Sequence, residues 1–205
     1  MRRLIGAALL LVTCSGLQAQ QVGSDIAPFV PSNMRLVSRL DADVTSDGVA
    51  DAILVLADDK AREATVAVLG RRVGRSLTDR RQAELFEAIG VAKLALSPAG
   101  MPAVKVNEQI LTIEHTTGAS ALRTTSAYRY RADFEAGRLR LIGVDARRTS
   151  GTMTIRLNWD ALTGAQILKK DEGPETKTTY KPGKFWMGQT PTGDELIDRA
   201  LAESR

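Results

Sequence analysis

The feature that most constrains the fold is a succession of strand-length segments in the second half of the chain, separated by turns that contain glycine. Residues 152–159 alternate most clearly, with Met153, Ile155 and Leu157 on one side and polar residues between them. A period of two places one side on a core and the other in solvent, as in a half-buried β-strand. Similar segments occupy 109–114, 121–131, 138–145 and 165–168. Strands at this spacing predict an antiparallel meander.

The preceding region is less regular. Apolar runs at 52–57 and 65–69 flank a polar turn, and these two runs predict a hairpin. Residues 71–81 contain five arginines and are expected to form a solvated loop. Residues 83–96 are ambiguous. They fit a helix, with capping-box spacing at Asp79 and Gln82, or two short strands around Gly90.

The end of the chain predicts a helix. Thr192 and Glu195 have capping-box spacing before an apolar stripe that runs to residue 203, and this stripe is expected to pack on the sheet. Residues 170–191 contain three prolines and are expected to connect this helix to the sheet, with Phe185 and Trp186 as anchors. The predicted class is therefore mainly β: an antiparallel meander in a sandwich- or barrel-like sheet with a C-terminal α-helix.

The N-terminus has the order of features found in a secretory signal. Arg2 and Arg3 precede an uncharged apolar run at 4–12, and small or polar residues follow up to Ala19. Nine apolar residues are too few to cross a bilayer, which needs about 20. We therefore expect a signal peptide at 1–19 and one exported, periplasmic β-rich domain at 20–205, whose C-terminal extension and helix span 170–205, with no transmembrane segment.

Residues 11–14 offer a second route of export. Leu11, Val12, Thr13 and Cys14 resemble a lipobox, in which the cysteine is lipidated and becomes the first residue of a membrane-anchored lipoprotein. Thr13 departs from the small residue usual at that position, so cleavage after Ala19 is preferred. Cys14 is the single cysteine of the chain, so neither route leaves a cysteine for a disulfide.

Charge and aromatic content argue against nucleic acid as a partner. Removal of Arg2 and Arg3 reduces the formal net charge from +4 to +2, and aromatic residues make up only 4% of the chain. A nucleic-acid surface needs a strong basic footprint, and single strands need stacking platforms. The expected partner is therefore an envelope protein or a ligand of unknown chemistry.

An acidic loop before the first apolar run has spacing that suits calcium. Asp43, Thr45, Asp47 and Asp51 occupy loop positions one, three, five and nine, with Gly48 at the tight turn. The carbonyl group of Val49 adds a further oxygen, and calcium takes six to eight oxygens. The alternative is an acidic turn in which the carboxylates accept backbone N–H groups without metal. If calcium binds, its role is structural.

This loop and several later segments carry a resemblance to known proteins. Residues 43–56 resemble the acidic loop and strand of FG-GAP or VCBS-type repeats. Residues 40–170 are similar to small exported bacterial proteins of unknown function that share Tyr128-Arg129-Tyr130, Leu141-Ile142-Gly143, and an Asn158 before Leu162-Thr163-Gly164. The resemblance implies an exported β-rich fold and favours strands at 85–96. It assigns no activity.

The sequence contains no recognisable catalytic constellation. His115 is the only histidine and has no partner motif, so we expect no hydrolysis that depends on it. Carboxylate pairs need no local motif, and Glu84, Glu87 and Glu114 lie near apolar strands. The arginines of 71–81 and 123–148 form either a basic face for an acidic partner or a solvated face balanced by Asp133, Glu135 and Asp145, and the solvated face is preferred. The preferred function is a binding or interaction module, not an enzyme. The alternatives are an inhibitor or immunity protein against an envelope enzyme and a carboxylate-dependent envelope hydrolase.

Processing of the N-terminus is directly testable. We expect signal cleavage before Gln20, because Ala19 ends the small-residue exit of the apolar run. Intact-mass analysis of the protein recovered from the periplasm should give the mass of residues 20–205. Recovery from the membrane fraction with a lipid-modified Cys14 at the terminus would contradict this expectation.

Overall fold

The computed structural model describes residues 23–72, 85–180 and 182–204, so the proposed signal and the Asp79–Gln82 capping box lie outside the described residues. A short 3-10 helix, Ala27–Phe29, precedes the strands. The strands are β1 (Arg35–Ala42), β2 (Asp51–Asp58), β3 (Glu63–Arg72), β4 (Leu85–Ala95), β5 (Ala103–Asn107), β6 (Ile110–Ala119), β7 (Leu122–Asp133), β8 (Arg138–Ser150), β9 (Met153–Asp160), β10 (Ala165–Lys170) and β11 (Glu175–Thr179). The helix α1 spans Gly193–Glu203.

The strands form two open antiparallel sheets. The small sheet has the order β1-β2-β3-β4, and the large sheet has the order β11-β10-β9-β8-β7-β6-β5. Every pair of neighbouring strands is consecutive in the chain, as antiparallel pairing allows. The predicted mainly β meander with a C-terminal helix is confirmed, and its sheets are packed as a sandwich.

The main core lies between the two sheets and extends under the helix. The small sheet contributes Ile53, Val55, Val66 and Val68, which pack with the inner face of the large sheet. Trp159 is fully buried there, with its ring 5.1 Å from Tyr180 and 5.3 Å from Phe185 in edge-on contacts. The expected anchoring of the C-terminal segment by Phe185 is therefore observed.

The helix is held at the end of the large sheet by its cap and by one arginine. Thr192 and Glu195 form the predicted capping box. Asp194 accepts hydrogen bonds from Thr124 and from Arg148, whose Nη2 lies 2.8 Å from Oδ1. Burial acts to raise the pKa of Asp194, but the hydrogen bonds from Thr124, Arg148 and Thr117 outweigh it and hold the pKa below its usual value.

Strand β2 is buried on both faces, which explains its continuous apolar sequence. One face belongs to the main core. The other packs beneath residues 26–34, where Ile26 is fully buried against Leu54 and Leu56. The sequence showed no periodicity before residue 35, yet this segment forms the outer cover of the small sheet.

The ambiguous region forms a single strand, so the helix alternative is wrong within the described residues. In β4 the register shifts at Ile89, between the Val68–Gly90 and Leu69–Ala88 pairs, which identifies a bulge. Gly90 does not interrupt the strand. A Cβ atom there would lie 2.7 Å from the sulfur of Met187, so glycine permits close approach of the C-terminal segment.

Three other expectations need correction. Residues 116–118 continue β6 instead of turning, because threonines pair across the strands, with Thr116 and Thr125 hydroxyls 3.1 Å apart. Arg71 and Arg72 extend β3, while the rest of the expected arginine-rich loop lies outside the described residues. The 170–191 segment contains β11, which pairs with β10. Within the described ranges, no helix has the length and apolar character needed to cross a membrane.

The outer cover yields a stability prediction. Replacing Ile26 by alanine should lower the free energy of unfolding by about 2–5 kcal/mol, although this residue lies outside every strand, because the change leaves a cavity against β2. Urea denaturation followed by tryptophan fluorescence measures the loss. The half-buried Val30, at the edge of the same cover, is the matched control as Val30→Ala. If Ile26→Ala costs no more than the control, the segment does not stabilise the sheet.

Candidate functional site

The acidic loop joins β1 to β2 and is organised around the buried carboxylate of Asp51. Its Oδ2 accepts hydrogen bonds from the backbone N–H of Val44 at 2.9 Å and of Thr45 at 3.0 Å, and from the Thr45 hydroxyl at 3.1 Å. Its Oδ1 accepts the N–H of Arg71 at 3.0 Å. Asp51 is fully buried. These donors compensate its charge and join the loop to the end of β3.

The other predicted ligands also accept backbone hydrogen bonds. Asp43 Oδ2 accepts the N–H of Gly48 at 3.0 Å, and Asp47 Oδ1 accepts the N–H of Val49 at 2.8 Å. Val49 therefore takes part through its N–H group, whereas the sequence proposed its carbonyl oxygen as a ligand. These contacts match the acidic-turn alternative.

The carboxylates of the loop are already engaged by hydrogen bonds within the chain. In the described part of the chain, no group of three or more histidine, cysteine, aspartate or glutamate side chains is placed to hold a metal ion. Calcium needs six to eight converging oxygens, and the side chain of Asp51 is already engaged at both oxygens. One loop oxygen, Asp43 Oδ1, is buried without a hydrogen-bond partner. Calcium binding remains a prediction.

A second buried aspartate, Asp58, accepts backbone N–H groups in the same way at the other end of β2. Asp58 accepts the N–H groups of Lys60 and Ala61 and the side chain of Asn33. The hydrogen bonds from Ala61 and Asn33 lower its pKa. A buried carboxylate thus caps each end of β2, and the sequence pattern identified only Asp51.

A surface groove lies elsewhere, on the open face of the large sheet. Its volume is about 620 Å³, and it crosses strands β6 to β11. Small or apolar side chains, including the half-buried Ala127 and Ile167, contribute to its floor. Charged side chains stand on either side of that floor. This groove is the candidate binding site.

One side of the groove is a row of three cations on adjacent strands, which we call the cation row: Arg147, Arg156 and Lys169. Arg147 is directly opposite Arg156, and Arg156 is directly opposite Lys169. Neighbouring strands lie about 4.8 Å apart, so these positive charges repel one another. None of the three has an ion-pair partner among the described residues. At one end of the row Glu175 stands directly opposite Lys169 and also lines the groove, so the uncompensated positive charge lies at Arg147 and Arg156.

The other side of the groove carries acids that already have partners. Asp145 is 3.3 Å from Arg129 and also accepts a hydrogen bond from Asn158, while Glu114 pairs with Lys105. Asp145 and Asn158 are cross-strand neighbours. The structure thus brings together Arg129 and Asn158, two residues of the resemblance, through an aspartate. These acids therefore do not compensate Arg147 and Arg156.

The other residues considered from sequence have ordinary roles or positions. His115 is buried, and its Nε2 lies 2.8 Å from the carbonyl oxygen of Ala95, which ties β6 to the end of β4. Glu87 is exposed, and Glu84 lies outside the described residues. Of the two glutamates that the structure describes, Glu114 lines the groove and Glu87 does not.

The acidic loop yields a direct test of its two alternatives. Asp51→Ala should lower the free energy of unfolding by about 3 kcal/mol or more, because it leaves several inward-facing donors without an acceptor. Asp47→Ala, the matched control at an exposed position, should cost less than about 1 kcal/mol. Thermal melts in chelator and in millimolar calcium measure both effects.

The same melts test for metal. With the loop held by N–H donors alone, the parent midpoint should be the same in calcium and in chelator. A rise in calcium that disappears in Asp47→Ala would identify a cation site and contradict the hydrogen-bonded turn as the complete description.

Comparisons of this chain with protein-family models, with curated proteins and with solved structures give no match. A function therefore has to be inferred from the geometry of the groove and the loops.

Proposed function

We propose that the protein is an exported binding module of the periplasm that holds an acidic ligand or partner segment in the groove of the large sheet. The observation that supports this most is the cation row. Three like charges on adjacent strands cost stability. Among the described residues no carboxylate forms an ion pair with Arg147 or Arg156, whereas Lys169 faces Glu175 across the strands. An anion in the groove would offset that repulsion.

The dimensions and lining of the groove support a ligand role. Its 620 Å³ lies within the range of about 300–1,000 Å³ typical of ligand sites. The lining combines an apolar floor with charged groups at the side, so a ligand with an apolar body and a negative group fits it best. The lining contains no aromatic residue, which disfavours stacked bases or sugar rings.

The hydrolase alternative has one observation in its favour. Glu114 and Asp145 lie in the same cross-strand row with Ala127 between them, which separates their backbones by roughly 10 Å. Each acid is paired with a cation, however, and the hydrogen bond from Asn158 holds Asp145 beside Arg129, which keeps both carboxylates engaged. An inhibitor or immunity protein would be a special case of the binding module, in which the acidic segment belongs to an envelope enzyme.

The test is a charge reversal in the cation row. The double variant Arg147→Glu/Arg156→Glu should bind fluorescent poly-L-glutamate at least about tenfold more weakly than the parent, because two attractive contacts become repulsive. Fluorescence anisotropy measures the dissociation constant. Binding by the parent should also weaken as salt is added.

The control is Lys60→Glu/Arg62→Glu, which makes the same change in net charge at exposed positions in the β2–β3 turn. It should bind like the parent. Equal loss in both double variants would mean that overall charge, not the groove, attracts the anion. A pull-down from envelope extract with the parent and the groove variant would then identify the natural partner.

A further inference from the structure

The turn between β7 and β8 presents an exposed aromatic side chain between two acids. Phe134 is 71% exposed, the largest value among the large hydrophobic side chains of the described residues. It borders two surface cavities, of 530 and 280 Å³, and is buried in neither. Glu135 beside it is exposed, and Asp133 is half-buried. An exposed aromatic ring of this kind is available as an anchor for a partner.

The turn itself is well defined. Asp133 Oδ1 accepts the N–H of Ala136 at 3.1 Å, and Gly137 has a φ of +61°, a conformation that glycine adopts without strain. The flanking strands are the two longest of the large sheet. Phe134 is therefore displayed on a short turn whose ordering costs little when a partner binds.

The composition of this tip is complementary to the groove. The tip offers one aromatic ring with a carboxylate on each side, and the groove offers an apolar floor beside the cation row. Arg131 and Arg138 lie behind the tip. The acidic side of the groove carries Glu114 and Asp145, which have the opposite charge. The tip and the groove lie at different positions along the same two strands, β7 and β8. The tip therefore cannot reach the groove of its own chain.

From this complementarity we infer that the Asp133–Phe134–Glu135 tip of one copy docks in the groove of a second copy. This inference rests on the proposed function and names the acidic partner segment. Phe134 covers Ala127 and Ile167, and the tip carboxylates face Arg147 and Arg156. The two surfaces differ, so the contact is heterologous and leads to rings or chains of copies instead of a closed two-fold dimer. A contact of one hairpin tip is small, so the association is weak.

Sedimentation velocity of the chain expressed from Gln20 tests this directly. The weight-average sedimentation coefficient should rise with protein concentration at low ionic strength and fall as salt is added. Phe134→Ser should weaken the association about tenfold or more, as expected for an aromatic anchor. Leu122→Ser is the matched control, since Leu122 is 53% exposed at the opposite end of β7. A parent that remains monomeric at all concentrations, or equal loss in both variants, overturns the inference.

Cross-linking tests the position of the contact. The chain from Gln20 lacks cysteine, so single cysteines can be introduced without competing thiols. A mixture of Phe134→Cys and Ile167→Cys chains should form a disulfide-linked heterodimer under mild oxidation. A mixture of Leu122→Cys and Ile167→Cys should not. Equal yields in the two mixtures would contradict docking of the tip in the groove.

The two proposals fail separately. Phe134→Ser should retain poly-L-glutamate binding, because its groove is intact. If the parent binds poly-L-glutamate through the cation row but neither self-associates nor cross-links, the acidic-ligand function stands and the docking of a second copy is refuted. If the groove variant Arg147→Glu/Arg156→Glu self-associates as the parent does, the inference is refuted as well.

Discussion

The small sheet depends on one buried carboxylate. Asp51 stands where the chain leaves the β1–β2 loop and enters a strand whose two faces are both covered. Burial of a charge is costly unless hydrogen bonds surround it, and here the donors come from the start of the preceding loop and from β3. The charge thereby fixes where β2 begins, the path of the loop and the position of Arg71 near the end of β3. The same solution recurs with Asp58 at the other end of the strand, so the position of β2 is specified by charge as well as by its apolar residues.

Much of the fold followed from local pattern, and the failures have local reasons. Alternation identified β9 because one of its faces is in water, and the capping box identified α1 because two side chains alone complete it. Ile26 could not be assigned to the core, since it belongs to no periodic element and its partner surface is formed by distant strands. Gly90 suggested a break because the sequence alone does not distinguish a glycine that permits close packing from a glycine that ends a strand. β11 was missed because a short edge strand of Glu, Thr and Lys has no buried face to produce alternation.

The two candidate sites also differ in whether the local sequence reveals them. The acidic loop is contiguous, so its residues were found directly, but spacing alone does not distinguish carboxylates that converge on a cation from carboxylates that cap N–H groups. The groove was not found, because Arg147, Arg156 and Lys169 come from three strands and their alignment depends on register. Each is unremarkable in sequence, on the solvent side of its own strand. Only the pairing of β8 with β9 and of β9 with β10 makes them one row.

Both sheets are built in strict chain order, and this has a consequence for how the protein reaches its folded state. Each new strand pairs with the one made just before it, so the loops to be closed are short and their entropy cost is small. Sheets with mostly local pairing form faster than those with crossovers between distant strands. The large sheet can therefore grow from β5 toward β11, one hairpin at a time. The helix and the Phe185 segment pack on strands that precede them in the chain, so they can complete the core only once those strands have paired. Until then, the inner face of a nearly finished sheet stays exposed, and this is the interval in which the chain is most open to aggregation.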